Sequence, residues 1–329
     1  MAEKIRSGTL MDLVVPIHGN LPMNEKFFEF LYKNTHHPFS LIIVDNCSQD
    51  DSALFFEEMR SRGHAIQVIR NPHNQCYPVS INQGARAGRS PIIGFLNNDI
   101  IVGPEWDIPL VAALEKGYSV VSPTGLEHFP LKSQGDALYH RWRLINRKTW
   151  SVDSRENIRL KIEKMYWDFD RFTKIVREQY HASEVRGIMG HCHLLSRALF
   201  DQIGGLDPRI QGADWDLYLT VATLKKNGKL PFDPIIFGSS YVHHFIRSTE
   251  ANAKKLPVVC THEPHMRVEE KWTREEICDL WPFDEEKPGY RKSFSSSIRE
   301  RILKWKTRLY DWKKDPVNIL EGETHVSSK

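Results

Sequence analysis

Apolar runs of four to seven residues alternate with amphipathic stretches through the first third of the chain. Met11 to Ile17 reads as a first strand, and His18-Gly19-Asn20 as the turn after it. Asn24 then opens a segment with Phe27, Phe28, Leu31 and Tyr32 at helical spacing. Leu41 to Val44 predicts a second strand, Ala53 to Arg62 a helix, Ala65 to Ile69 a third strand and Val79 to Arg86 another helix. Ile92 to Leu96 closes the series with a short run fit for one buried strand, ending abruptly in Asn97-Asn98-Asp99. Strands alternating with helices predict a parallel sheet with right-handed crossovers, whose strand C-termini share one edge. Asp45 and Asp99, each following an apolar run, are thereby expected on the same edge. That edge is where α/β sheets bind ligands.

Further on, residues 104 to 118 read as a helix and Ser119 to Ser122 as a short strand. From Asp136 to Tyr180 the pattern becomes helical, dense in charge and in aromatics such as Trp142, Trp150, Tyr166, Trp167, Phe169 and Phe172. This stretch reads as an insertion packed on the domain with its charges solvated. An alternative is a lid or acceptor platform, since aromatic faces stack on sugars. Ile235-Ile236-Phe237 and a second run into His243-His244 make the last strand signals. Beyond Glu270 the α/β character is lost. Ile298, Ile302, Trp305, Leu309 and Trp312 form one stripe of a basic helix, which either docks on the domain or lies on an anionic membrane.

Composition excludes more than it selects. The 329 residues carry a formal net charge of +3, with 40% hydrophobic and 26% charged residues, as in an ordinary globular protein and without the basic excess of a nucleic-acid binder. Five scattered cysteines make no disulfide framework, and no run reaches the ~18 apolar residues of a membrane span. With no signal-peptide pattern at the N-terminus, the expected location is the cytoplasm, or at most a membrane surface.

The candidate chemistry sits at the strand ends. Asp99, flanked by the amides of Asn97 and Asn98, suits Mg²⁺ or Mn²⁺, which complete their shells with water and phosphate. A plain Asn/Asp turn is the simpler account of that triplet taken alone. Asp45-Asn46-x-Ser48-x-Asp50-Asp51-Ser52 is crowded with acceptors. Asp51 or Ser52 fits a helix N-cap, whereas Asp45 is placed to meet a ribose or a base. Cys260-x-His262-x-x-His265, with His191-Cys192-His193 upstream, holds zinc-type ligands, but the spacing fits no finger.

The order Pro16, Asp45-Asn46-x-Ser48-x-Asp50-x-Ser52, Asn74 with Asn82-x-Gly84, then Asn97-Asn98-Asp99 resembles the nucleotide-sugar half of family 2 glycosyltransferases, in the form common among rhamnosyltransferase-like members. The later Gly204-Gly205-x-Asp207 turn and Asp214-x-Asp216-Leu217 are similar to the same family's acceptor half, with Ala213 where the family carries Glu. The resemblance implies an α/β fold of the GT-A (nucleotide-diphospho-sugar transferase) type: a mainly parallel central sheet flanked by helices, with a helical insertion and a C-terminal helical extension. The catalytic domain would span 1–270, with a donor half at about 8–125, the insertion at about 134–182 and an acceptor half at about 185–250, followed by an extension and tail at 271–329.

It further implies a donor site of Pro16, His18, Asp45, Asn46, Ser48, Asn74, Asn82, Asn97 and Asn98, with Arg247 meeting a phosphate. Asp99 and one of His243 and His244 would hold Mn²⁺ or Mg²⁺, only one because neighbours on a strand face opposite ways, and His244 is the slightly favoured candidate. With a single carboxylate in the triplet, the metal is expected to bind weakly and to depend on the nucleotide. Asp214 would be the catalytic base. Asp216, off its face, would be structural or, with Trp215, meet the acceptor. The expected reaction is a metal-assisted inverting transfer from a UDP-, dTDP- or GDP-linked sugar to a glycan or lipid-linked acceptor, with residues 296–314 as a possible membrane contact and no nucleic-acid partner. A nucleotidyltransferase is the rival enzyme, but the turn after the first strand lacks its Gly-rich loop. A binding protein that has lost catalysis is the rival outside enzymes.

Overall fold

The structure, a computed structural model, describes residues 8–148, 154–246, 266–283 and 315–321. The first strands, β1 (Met11–Ile17), β2 (Phe39–Asp45), β3 (Ile66–Arg70) and β4 (Ile92–Leu96), pair in parallel in the order β3-β2-β1-β4. Their crossovers are the helices α1 (Leu21–Asn34), α2 (Ser52–Ser61) and α3 (Tyr77–Ala87). Alternate residues of β1 face opposite layers. Val15 packs with Phe27, Leu31 and Phe56 of α1 and α2, while Val14 packs with Ile81 and Ala85 of α3. Burial on both sides is what gives these strands their unbroken apolar runs.

The helix starts differ from the sequence reading in informative ways. Helix α1 starts at Leu21 because Gly19 and Asn20 both take left-handed backbone (φ 73 and 68), a turn that glycine and asparagine tolerate. Asn24 is therefore inside the helix and fully buried, donating to Gly19 O (3.0 Å) and Ser52 Oγ (2.9 Å). At the start of α2, Asp51 makes no side-chain cap bond. Asp50 accepts the Ser52 N–H (3.1 Å) and the Leu21 N–H (3.0 Å) instead, so one carboxylate ties two helix starts together.

The second half of the sheet is mixed. Strand β8 (Cys192–Ser196) runs antiparallel between β4 and β6 (Val120–Thr124). Strand β9 (Ile235–His244) is one continuous strand, parallel to β6 and antiparallel to β5 (Ile100–Val102) and β7 (Glu184–Arg186). Among the described residues this makes a nine-stranded sheet. Helix α4 (Ile108–Glu115) is shorter than the 104–118 of the sequence reading and joins the layer of α1 and α2. Helices α8 (Arg197–Ile203) and α9 (Ala213–Lys226) join the layer of α3. At the far end of the strands Asp12, 3% exposed, accepts Ser90 N–H, Ser90 Oγ–H and the Arg197 guanidinium at 2.6, 2.8 and 2.9 Å, locking β1, β4 and β8 together.

The insertion folds as α5 (Lys132–Lys148), α6 (Arg155–Tyr166) and α7 (Phe169–Gln179), the last two started by Ser154 and Asp168 as side-chain caps. Trp142, Tyr166, Phe169 and Phe172 are buried in a core shared with Tyr241 and Phe245, so most of the aromatics pack inward. Trp167, 55% exposed, and Tyr139, 38% exposed, face outward, and Trp150 lies outside the described residues. The C-terminal extension returns to the body twice. Helices α10 (Val268–Lys271) and α11 (Arg274–Leu280) cover α9, and α12 (Val317–Glu321) sits on α5 and α7, where Leu320 O accepts from Gln134 and Gln179 (both 3.1 Å). The basic stripe at 296–314, the cluster Cys260–His265 and Arg247 lie outside the described residues.

Candidate active site

Strand directions alone bring one set of polar residues together. The C-terminal ends of β1, β2 and β4 share an edge, with Ile17 opposite Asp45. Strand β8 is antiparallel to β4, so its N-terminal end lies there too, and Asn97 N–H donates to His191 O (2.9 Å). Strand β6 is antiparallel to β8 and ends at this edge just before Glu127. Strand β9 follows β6 and ends at His244, while β5 runs back from Asp99 beside it, with Phe245 N–H on Asp99 O (2.8 Å). Six strands thus deliver Asp45, Asn97, Asp99, Glu127, His191 and His244 to one side of the sheet.

At the centre is a charged cluster. His244 Nδ1 is 2.8 Å from Glu127 Oε1 and its Nε2 is 3.4 Å from Asp99 Oδ1. The His191 ring stacks on His244 (centroids 4.4 Å apart, 22° between planes), and ligand-type atoms of Glu127, His191 and His244 all fall within 4.8 Å of one another. Burial would lower the basicity of His244, but the carboxylates of Asp99 and Glu127 outweigh it and hold its pKa at about 10. Burial would likewise raise Glu127, yet the charged His244 imidazolium in contact with it holds it down at about 2. His191, pushed to about 3 chiefly by burial, stays neutral, and its Nε2 is buried with no hydrogen-bond partner.

His243 takes the other face of β9. It is fully buried, with Nδ1 2.7 Å from the Tyr166 hydroxyl and its ring against Trp142 and Phe245. Of the two candidate histidines, His244 alone faces Asp99.

Beside the cluster opens a cavity of ≈ 450 Å³ lined by Tyr77, Asn97, Glu127, His191, His244 and Asp214, with Trp215 and Trp281 forming a wall. Asp214 enters from the first turn of α9, whose N-terminus favours a negative charge. Its carboxylate lies against the backbone of Gly190, where a Cβ would overlap it. Trp215 stacks on Trp281 of the C-terminal extension (4.4 Å, 27°). The Tyr77 hydroxyl is buried without a hydrogen-bond partner, and burial, with Asp214 nearby, raises its pKa far above the ordinary range. Asp216 is turned out of this cavity. It is 4% exposed and accepts from Trp272 Nε1 (2.7 Å) and Lys271 Nζ (2.9 Å), so it anchors the extension, which is the structural one of the two roles expected for it.

The residues expected to hold the donor divide into two groups. Pro16, His18, Asp45 and Ser48 form the turn system at the ends of β1 and β2. His18 Nδ1–H donates to Asn46 O (2.6 Å), Gly19 N–H donates to Ser48 Oγ (2.7 Å), and Asp45 Oδ1 accepts Ser48 N–H (3.0 Å). Asn74 is half-buried in the loop before α3. Three amides are engaged inside the chain. Asn46 Oδ1 accepts from Asn71 and Ser80 (both 2.9 Å), and Asn98 donates to Asn24 Oδ1 (2.7 Å). Asn82 makes a two-way clamp with Leu206, accepting at 2.8 Å and donating at 2.7 Å, which ties α3 to the Gly204-Gly205 turn. These are positioning bonds.

Sequence reasoning missed Glu127, Tyr77 and the placement of His191. His191 carried a signal, the His-Cys-His run. In the structure His193 and Cys192 of that run are buried in the sheet, where burial lowers the histidine to about 4 and raises the thiol, and His191 alone reaches the cluster.

This arrangement is that of the GT-A fold, and comparison with known proteins agrees. Residues 12–204 match the family model Glycosyl transferase family 2, and the chain belongs to that family. In solved structures the whole chain resembles a mannosyltransferase of Pyrobaculum calidifontis in complex with GDP-Man and Mn²⁺ (TM-score 0.50, 12% identity, 99% of this chain and 78% of the other). It also resembles GalNAc-T7 with UDP, GalNAc and Mn²⁺ (TM-score 0.51, 14% identity, 97% and 57%). At such identities the likeness is one of fold. Among curated proteins, an undecaprenyl-phosphate 4-deoxy-4-formamido-L-arabinose transferase of Pseudomonas savastanoi is 29% identical over 144 residues, 41% of this chain and 40% of its own length. An uncharacterized glycosyltransferase of Haemophilus influenzae is 30% identical over 96 residues, 29% of this chain and 31% of its own. The matched stretches thus span well under half of those relatives. No helix among the described residues is long and apolar enough to cross a membrane.

Proposed function

We propose that the chain transfers a sugar from a nucleotide-diphosphate sugar to an acceptor hydroxyl, with inversion at the anomeric carbon. The observation that carries this is the juxtaposition of a carboxylate on a helix N-terminus, Asp214, lining one cavity with Glu127, His191 and His244, beside which stands Asp99. The donor set fits a divalent cation: carboxylate oxygens and imidazole nitrogens converge, and the buried His191 Nε2 lacks any other partner. Asp99 and His244 would hold the ion, and a cation there supplies positive charge beside the leaving nucleotide diphosphate.

The chain's own residues account for the rest. The turn of Pro16, His18, Asp45 and Ser48 receives the nucleoside. Asp214 takes the proton of the acceptor hydroxyl as its oxygen attacks the anomeric carbon from the face opposite the diphosphate. One displacement forms the new C–O bond and breaks the old one, so no covalent intermediate is needed. The buried Tyr77 hydroxyl is available to a substrate oxygen. The stacked Trp215 and Trp281 offer an aromatic wall for a sugar ring, which favours a glycan or a lipid-linked sugar as acceptor. The undecaprenyl-phosphate transferase among the relatives is consistent with a lipid-linked acceptor.

A catalytically silent relative is the second reading, and Ala213 is the observation behind it. This residue stands where the family carries a Glu, and it is 1% exposed in the core of α9. A panel of UDP-, GDP- and dTDP-sugars with Mn²⁺ or EDTA, read by nucleotide release and by thermal shift, separates the two. Metal-dependent release from one donor, giving the inverted anomer when an acceptor is supplied, is the expected result. Donor-induced stabilisation without turnover, with every acceptor class tried, would leave the binding protein.

A further inference from the structure

We propose that Glu127 and His191 are metal ligands in their own right. With His244 they would form a pre-built cation site that takes up Mn²⁺ without any nucleotide, Asp99 supporting it from the opposite ring nitrogen of His244. The inference rests on the proposed function and changes one of its terms. The Asn-Asn-Asp triplet by itself offers a single carboxylate and predicts a weak ion that depends on the nucleotide. The tertiary structure adds a second carboxylate and a second imidazole.

The argument is geometric. Ligand-type atoms of Glu127, His191 and His244 lie within 4.8 Å of one another, so side-chain shifts of under about 1 Å bring them to the ~2.0–2.2 Å bond lengths of one ion. Asp99 Oδ1 stands 3.4 Å from the remaining nitrogen of His244, where it orients the ring from the side opposite Glu127. The nearly parallel rings of His191 and His244, 4.4 Å apart, set their nitrogens side by side. His191 is 6% exposed, and its Nε2 has no hydrogen-bond partner. Leaving a buried ring nitrogen unbonded is unfavourable, and a bound cation removes the penalty.

Nothing here has to move far to bind. The β4–β8 pairing fixes His191, the β5–β9 pairing fixes His244 against Asp99, and Glu127 follows β6 by three residues. A site held by sheet hydrogen bonds is preorganised. Its ligand set also sorts metals. Two imidazoles with a carboxylate suit a first-row transition ion, whereas Mg²⁺ prefers oxygen and retains its water.

The test uses the full chain, stripped with EDTA, and Mn²⁺ alone. Calorimetric titration should show one Mn²⁺ per chain without nucleotide, and a tenfold excess of Mg²⁺ should displace little of it. His191→Ala and Glu127→Gln should each weaken Mn²⁺ by about tenfold or more while keeping the melting temperature measured in EDTA. Electron spin-echo spectra of the wild-type Mn²⁺ form should show two coupled imidazole nitrogens, a readout that does not depend on any variant folding. Mn²⁺ uptake only with a nucleotide diphosphate present, or a single coupled imidazole, would overturn the inference while leaving the proposed transfer reaction standing. No Mn²⁺ binding with or without nucleotide would remove both the inference and the metal from the proposed reaction.

Discussion

Gly190→Ala tests the catalytic assignment of Asp214 without touching Asp214. A Cβ built on Gly190 falls 2.8 Å from Asp214 Cγ and closer still to Oδ2, where ordinary contacts begin at 3.4 Å. Gly190 leads directly into β8, and Asp214 sits in the first turn of α9, so neither backbone can yield freely. The side chain must therefore retreat, Cγ by roughly 0.6 Å and the carboxylate oxygens by about 1 Å. Misplacement of a reacting group by about 1 Å can reduce the rate by about 10²-fold, or about 2.7 kcal/mol of barrier. The expected phenotype is a kcat lower by about two orders of magnitude, with donor affinity, Mn²⁺ affinity and melting temperature near wild type. Asp214→Asn should lose about 10²- to 10⁴-fold as a missing general base, and the double variant should be no slower than Asp214→Asn alone. Steady-state transfer with saturating donor and acceptor, beside calorimetric donor binding, reads all of these. A Gly190→Ala enzyme within about threefold of wild-type kcat would refute the reasoning, as would a double variant in which both losses multiply.

Two further outcomes follow from the same geometry. His193 has its pKa lowered to about 4 by burial, so the unfolded chain binds the extra proton between about pH 4 and 6.5, and the stability present above that window is lost as pH falls through it. Between pH 7 and 5 this amounts to about 2 kcal/mol, and urea unfolding of His193→Phe should show a pH dependence smaller by that amount. Asp216→Ala, which strips the partners from Lys271 and Trp272, should destabilise the contact of residues 268–280 with α9 by about 1.5–3 kcal/mol, seen as faster hydrogen exchange there, with acceptor KM unchanged. A raised KM with unchanged exchange would return Asp216 to the acceptor site.

What the sequence alone determined is what local chemistry controls. The apolar runs marked β1, β2 and β4, the spacing of Phe27 and Leu31 marked α1, and the abrupt polar ends marked the edge carrying Asp45 and Asp99. Strand and helix periodicities are properties of neighbouring residues, and parallel crossovers follow from their alternation. Even here tertiary needs moved the details, since Asn24 is a buried strut within α1 and Asp50 takes the place of the expected cap.

Only the tertiary structure decided which side chains meet. His243 and His244 are equivalent in the sequence, and the pleat of β9 against β5 separates them. Glu127 stands in no motif, and its place beside His244 comes from the parallel pairing of β6 with β9. His191 reaches Asn97 because β8 runs antiparallel to β4, a direction no local pattern encodes. The amide of Asn82 closes on Leu206 and the carboxylate of Asp216 on Trp272 of the C-terminal extension, partners that no local pattern names. Pairing direction and register depend on contacts between residues far apart in the chain, so a sequence can show which residues are able to bind a metal or move a proton, while the sheet determines which of them share a site.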